Sequence, residues 1–101
     1  MTEGLRRFDA SEYIEDDEGA RIFLEDAMET NDAAFIASAI GVVAKARGMS
    51  AIARETGISR ESLYRALSED GNPQLSTVLK VLEAMGLKLS VEPASKTSDA
   101  A

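Results

Sequence analysis

Apolar residues at Ala20, Phe23, Leu24, Ala27 and Met28 follow the i, i+3, i+4, i+7, i+8 spacing of one helix face. This predicts a helix over roughly residues 18–30, capped by Asp16 or Asp17, with acids in its first turn where the helix dipole favours them. Glu25, Asp26 and Glu29 fall on its outer face. Earlier, Asp9 is placed to cap a short turn through Tyr13. Asn31-Asp32 breaks the pattern, and Asp32 is a good N-cap for a second helix over 33–47. That segment, AAFIASAIGVVAKAR, is apolar nearly all round until Lys45, which predicts a central helix buried on more than one side. Gly48 supplies its left-handed cap. Gly41 in its middle costs about 1 kcal/mol against alanine, a cost that a close helix crossing would explain.

The next pattern is shorter. Ser50 caps a helix to Thr56, Gly57 turns the chain, and Ser59 caps another helix to about Leu67. The segment SEDGNP is loop chemistry. Asn72-Pro73 restarts a helix that runs to Met85, with Leu75, Val78, Leu79, Leu82 and Met85 on one stripe and Gly86 as its stop. Residues 87–92, LKLSVE, alternate apolar and polar and predict a strand. A lone strand has no partner in its own chain, and a second copy is the obvious one. The expected fold class is all-α: a bundle of about five helices with a short C-terminal β-strand. It divides into an acidic helical segment (1–32) packed on the core, the domain proper (33–92) and a polar tail (93–101).

Composition narrows the chemistry. At 101 residues the chain makes one domain, and it contains no histidine, cysteine or tryptophan. Disulfides, zinc fingers, iron–sulfur sites, thiol chemistry and histidine-based triads are therefore excluded. The apolar stretches are too short to cross a bilayer and the first residues show no signal peptide, so a cytoplasmic location is expected. The net charge of −7 argues against a nucleic-acid binder until its distribution is read. Residues 1–32 hold three arginines against eleven acids, a net of −8, whereas residues 45–67 hold five cations against two acids, a net of +3. Such polarity fits two partners of opposite sign, one of them a phosphate backbone. The plainer alternative is an acidic helix that only keeps the protein in solution.

The informative segment is MSAIARETGISRESLYRAL, residues 49–67. Ile52 and Ala53 face inward, Gly57 accepts a left-handed turn, Ile58 plugs that turn into the core, and Leu63, Ala66 and Leu67 anchor the second helix. The whole set predicts a helix-turn-helix, with a plain helical hairpin as the alternative. At 100° per residue, Glu61, Tyr64 and Arg65 lie opposite the anchors, with Arg60 and Ser62 on the flanks. Recognition helices present such side chains to base edges: arginine to guanine, glutamate to the cytosine amino group. Ser59 and Tyr64 suit phosphate contacts, flanked by Lys45, Arg47 and Arg54. The competing reading pairs Glu61 with Arg65 at i, i+4 on a wet surface.

These residues carry a resemblance. From Phe8 to Glu92, 85 of the 101 residues, the chain resembles the addiction-module antidote proteins, the HigA-like antitoxins of bacterial type II toxin–antitoxin systems. They belong to the wider lambda-repressor-like (Cro/C1, XRE) helix-turn-helix class. The stretches FDASEYIEDDEGARIFLEDAMETND and ARGMSAIARETGISRESLYRALSEDGNPQLSTVLKVLEAMGLKLSVE carry it. The resemblance implies a homodimer that binds double-stranded operator DNA, represses its own operon and neutralises a RelE/ParE-like toxin. Many repressors of the wider class place a glutamine early in the first helix of the motif. Here Ala51 and Ile52 follow Ser50, so the phosphate contact shifts to Ser50 and the backbone.

The expected DNA-binding residues are thus Ser50, Arg54, Ser59, Arg60, Glu61, Ser62, Tyr64 and Arg65, and the expected toxin-facing acids are Glu25, Asp26 and Glu29. A free-standing repressor without a toxin is the alternative, separated by whether a short basic toxin gene adjoins this one. A protein-interaction domain that has lost DNA binding is a third reading, separated by titration against the upstream promoter. Enzymatic activity is not expected. Glu12, Glu15, Asp16, Asp17 and Glu18 cluster without the glycine-containing pattern of a calcium loop, so no metal or other cofactor and no membrane partner is expected.

Overall fold

A computed structural model describes residues 16–94; the Asp9–Tyr13 turn and residues 95–101 lie outside the described residues. Five helices occur among them: α1 (Asp17–Glu29), α2 (Ala33–Arg47), α3 (Met49–Thr56), α4 (Arg60–Ala66) and α5 (Leu75–Ala84).

Local chemistry sets most boundaries. The Asp16 carboxylate accepts the Gly19 N–H at 2.7 Å and starts α1. Asn31 takes φ 55, a left-handed position that asparagine tolerates, and turns the chain. The Asp32 carboxylate then accepts from Ala34 and Phe35 at 3.1 and 3.2 Å and starts α2. Gly48 ends α2 at φ 111, ψ 100, a positive φ but not the left-handed helical conformation expected of it. It is also the N-cap of α3, so the two helices follow without a spacer and bend by 105°. The expected Ser50 cap is therefore not formed: α3 has no side-chain cap, and Ser50 stands exposed in its first turn. Gly57, at φ 79, closes α3 as expected. α5 begins at Leu75 rather than at Asn72-Pro73, and Gly86 (φ 78) stops it as the Leu87 N–H donates to the Leu82 carbonyl at 2.9 Å.

α2 is the central element. It touches α1, α3 and α4, while α5 packs chiefly on α3. Ile40 and Val43 of α2 meet Leu63 of α4 and Val81 of α5 in one core, all four essentially inaccessible. Ala20, Leu24 and Ala27 seal α1 onto that core, with Phe23 half-buried beside them. Truncating a residue such as Leu63 to alanine costs about 2–5 kcal/mol at a site like this. Gly41 has its explanation here. A Cβ at that position would lie inside contact distance of the Leu67 carbonyl oxygen and 3.1 Å from the Leu67 Cβ, so α2 runs directly under the end of α4.

Two expectations need correction. On α5 the buried side is Val78, Val81, Leu82 and Met85, whereas Leu75 and Leu79 are 64% and 45% exposed. The helix packs on α3 through its Val78, Val81 and Leu82 side, and that contact leaves Leu75 and Leu79 uncovered. The C-terminal β-strand expected over 87–92 is absent among the described residues, because a strand needs a ladder and this segment meets no second strand.

Candidate nucleic-acid interface

α3 and α4 are two short helices joined by residues 57–59. The Thr56 hydroxyl donates to the Ile52 carbonyl at 2.9 Å and accepts the Ile58 N–H at 3.1 Å, so one side chain holds both sides of the turn. Thr56 had no sequence signal beyond lying next to Gly57. Ser59 accepts the Ser62 N–H at 3.1 Å as the N-cap of α4, and its hydroxyl donates to the Ser62 oxygen at 2.9 Å. Ser59 is thus engaged within the helix start, and the Ser62 hydroxyl proton is the one free to point outward.

Leu63 and Leu67 pin α4 from inside, which turns Arg60, Glu61, Tyr64 and Arg65 to solvent. The expected grouping of these four is what the helix presents. Glu61 and Arg65 form no ion pair among the described residues, so the i, i+4 pairing that would occupy the Arg65 guanidinium is not made. The Tyr64 ring lies 5.8 Å from Lys45 Nζ and 5.7 Å from the Arg60 guanidinium carbon. Each contact falls within cation–π range, so the ring draws a cation from α2 toward a cation on α4. No local pattern in the sequence joins Lys45 to Tyr64. Beside them, Ser62, Arg65, Ala66, Asp70 and Asn72 border an open depression of about 520 Å³ between α4 and the following loop.

Not every expected residue joins this group. Ser50 and Arg54 are exposed on α3, without a hydrogen bond or ion pair to the α4 side chains among the described residues. Arg47, expected as a flanking phosphate contact, does something else. Its guanidinium donates to the Met85 carbonyl at 3.1 Å and to the Asp17 carboxylate at 3.0 Å, and its side chain is only 19% exposed. It ties the start of α1 and the end of α5 to the end of α2.

The acids lie elsewhere. Glu25, Asp26 and Glu29 are exposed on α1, which packs on α2, whereas α4 packs on α3 and α2. Arg21 lies between Glu18 and Glu25, donating to them at 2.6 and 2.9 Å. The hydrogen bond and the charge of Arg21 hold the Glu18 carboxyl below the usual carboxylate range. Glu25 is therefore partly neutralised, and Asp26 and Glu29 carry the less compensated charge.

With an exposed cationic helix on one side and an acidic helix packed elsewhere on the core, the fold presents two chemically opposite surfaces. The chain belongs to the family described as "Probable addiction module antidote protein", whose model matches residues 4–93. A protein of Haemophilus influenzae described as "Uncharacterized protein" is 45% identical over 92 residues, which is 91% of this chain and 95% of that one. No solved structure matches the chain.

Proposed function

We propose that the chain is a HigA-like antitoxin of the lambda-repressor-like helix-turn-helix class. It binds and neutralises a RelE/ParE-like toxin and, as a homodimer, binds operator DNA to repress its own operon. The observation that carries the DNA half is the exposed α4 face, where Arg60, Tyr64 and Arg65 stand with Lys45 drawn in from α2. Arg65 and Glu61 read base edges; Lys45, Arg54, Arg60, Ser50 and the Ser62 hydroxyl supply phosphate contacts; Ser59 fixes the helix start from which they project. Seven residues of α4 offer few base contacts, so two copies address half-sites about 34–36 Å apart. Family membership supports the toxin half, and the exposed acids of α1 supply a surface of the sign that a basic toxin requires.

The test is a titration of the promoter upstream of the gene at several salt concentrations, with and without the product of the neighbouring gene. Arg65→Ala costs about 1–3 kcal/mol and relaxes specificity at one base pair, whereas Arg54→Ala weakens all sequences alike and reduces the salt slope by about 1. Identical behaviour of the two variants refutes the division into base and phosphate contacts. Neutralising Glu25, Asp26 and Glu29 together slows toxin association at low salt and leaves operator binding intact. Unchanged association kinetics refute the acidic toxin-facing surface.

A further inference from the structure

Leu87, the first residue after the Gly86 stop of α5, is half-buried against the core. Beyond it the chain leaves the helices. Residues 88–93 make no backbone hydrogen bond among the described residues, and Leu89 and Val91 are 37% and 97% exposed. An alternating apolar segment with open N–H and C=O groups is a template for another strand.

We infer that residues 88–92 pair antiparallel with the same residues of a second copy of this chain, with Ser90 on the two-fold axis and Pro93 just beyond the end of the ladder. The inference rests on the dimeric reading above and gives that dimer its contact and its register. The charge pattern selects both. In an antiparallel pair related by a two-fold axis, facing residues lie on the same side of the sheet. Centring on Ser90 sets Lys88 opposite Glu92 of the second copy and Leu89 opposite Val91 of the second copy, each pair occurring twice. Opposite charges and apolar pairs facing each other are the favourable cross-strand combinations. Every neighbouring register is worse. Centring on Lys88 or Glu92 sets like charges face to face, and centring on Leu89 sets Glu92 opposite Gly86. Centring on Val91 places Pro93, which has no N–H, opposite Leu89 within the ladder. A two-stranded ribbon alone is marginal, but here Leu87 anchors each strand to its own core at opposite ends.

The chain has no cysteine, so single substitutions in the full-length protein report the register directly. Ser90→Cys, mildly oxidised, gives a disulfide-linked dimer. Lys88→Cys and Glu92→Cys each stay unlinked alone, being about 13 Å from their symmetry mates, yet an equal mixture of the two crosslinks. By sedimentation, Lys88→Glu raises the dimer dissociation constant about tenfold, and adding Glu92→Lys restores it. A Ser90→Cys chain that sediments as a dimer without crosslinking, or a double charge reversal that fails to restore, overturns the register. A wild-type chain that is monomeric at micromolar concentration overturns the pairing itself. Reduced Ser90→Cys is titrated against operator DNA in parallel. Loss of crosslinking with operator binding intact sinks this inference alone; crosslinking without any operator binding by the wild type sinks the repressor reading alone.

Discussion

Replacing Gly41 with alanine adds one methyl group where α2 passes under the end of α4. Helix propensity alone makes this substitution stabilising by about 0.5–1 kcal/mol. The packing reverses the sign. The new Cβ would sit inside contact distance of the Leu67 carbonyl oxygen, with the Leu67 carbonyl carbon at 3.3 Å and its Cβ at 3.1 Å. Two of these three atoms are backbone and cannot swing aside by changing rotamer. Leu67 is 3% exposed and its N–H is bonded to the Leu63 carbonyl at 2.9 Å, so any retreat drags the last turn of α4 with it. Overpacking of this kind costs about 1–3 kcal/mol. After the propensity gain, the expected net loss is about 1 kcal/mol, which lowers the thermal midpoint by about 4–8 °C for a domain of this size. Urea denaturation followed by far-UV circular dichroism should show a lower midpoint at unchanged slope. Under the proposed DNA-binding reading, operator affinity falls as well, because the displaced turn carries Arg65. A Gly41→Ala protein as stable as the wild type, or more so, would refute the close-approach argument.

Arg47→Ala removes the donor to the Met85 carbonyl and the tie to Asp17, for an expected loss of about 1–3 kcal/mol; Arg47→Met keeps the buried stem and recovers only part of it. Equal stability of Arg47→Ala and wild type in the same urea assay would remove the clamp from the account. Under the proposed DNA-binding reading, Tyr64→Leu is expected to cost about 1 kcal/mol in operator affinity, while Tyr64→Phe keeps the ring and most of the binding. An equal loss in both would assign the effect to the hydroxyl. The pair between Arg21 and Glu18 stabilises the fold above the usual carboxylate range, and its contribution fades as pH falls through the lowered Glu18 value. The stability difference between wild type and Arg21→Gln should therefore shrink on acidification; a difference constant with pH would contradict this.

What could be read from the sequence was whatever side chains do to their own neighbours. Asp16, Asp32 and Ser59 are short polar residues ahead of apolar runs, and each accepts the N–H bonds expected of a cap. The inward set Ile52, Leu63 and Leu67 followed from helical spacing, and with it the outward set Arg60, Glu61, Tyr64 and Arg65. Ser50 misled because Gly48 already serves as the end of one helix and the start of the next, which leaves no room for a serine cap. Leu75 and Leu79 misled because periodicity reports a stripe but not how much of it the neighbouring helix covers. Arg47 looked like one cation among several on a basic segment. Its partners, Asp17 and Met85, lie 30 and 38 residues away, beyond any local pattern. Gly41 announced a close approach without naming Leu67, and the segment 87–92 has a strand's alternation without a strand's ladder.

The order in which the helices pack also bears on how quickly the protein is ready. α1 packs on α2, α2 on α3 and α3 on α4, with connections as short as the single residue Gly48. Little loop entropy has to be overcome before contacts form, and helical chains with such local packing fold in about microseconds to milliseconds. Synthesis is far slower, at about 5–20 residues per second. The acidic α1 and its seat on α2 are synthesised, and emerge from the ribosome, ahead of α4. In a nascent chain, the surface proposed to meet the toxin therefore precedes the surface proposed to meet the operator.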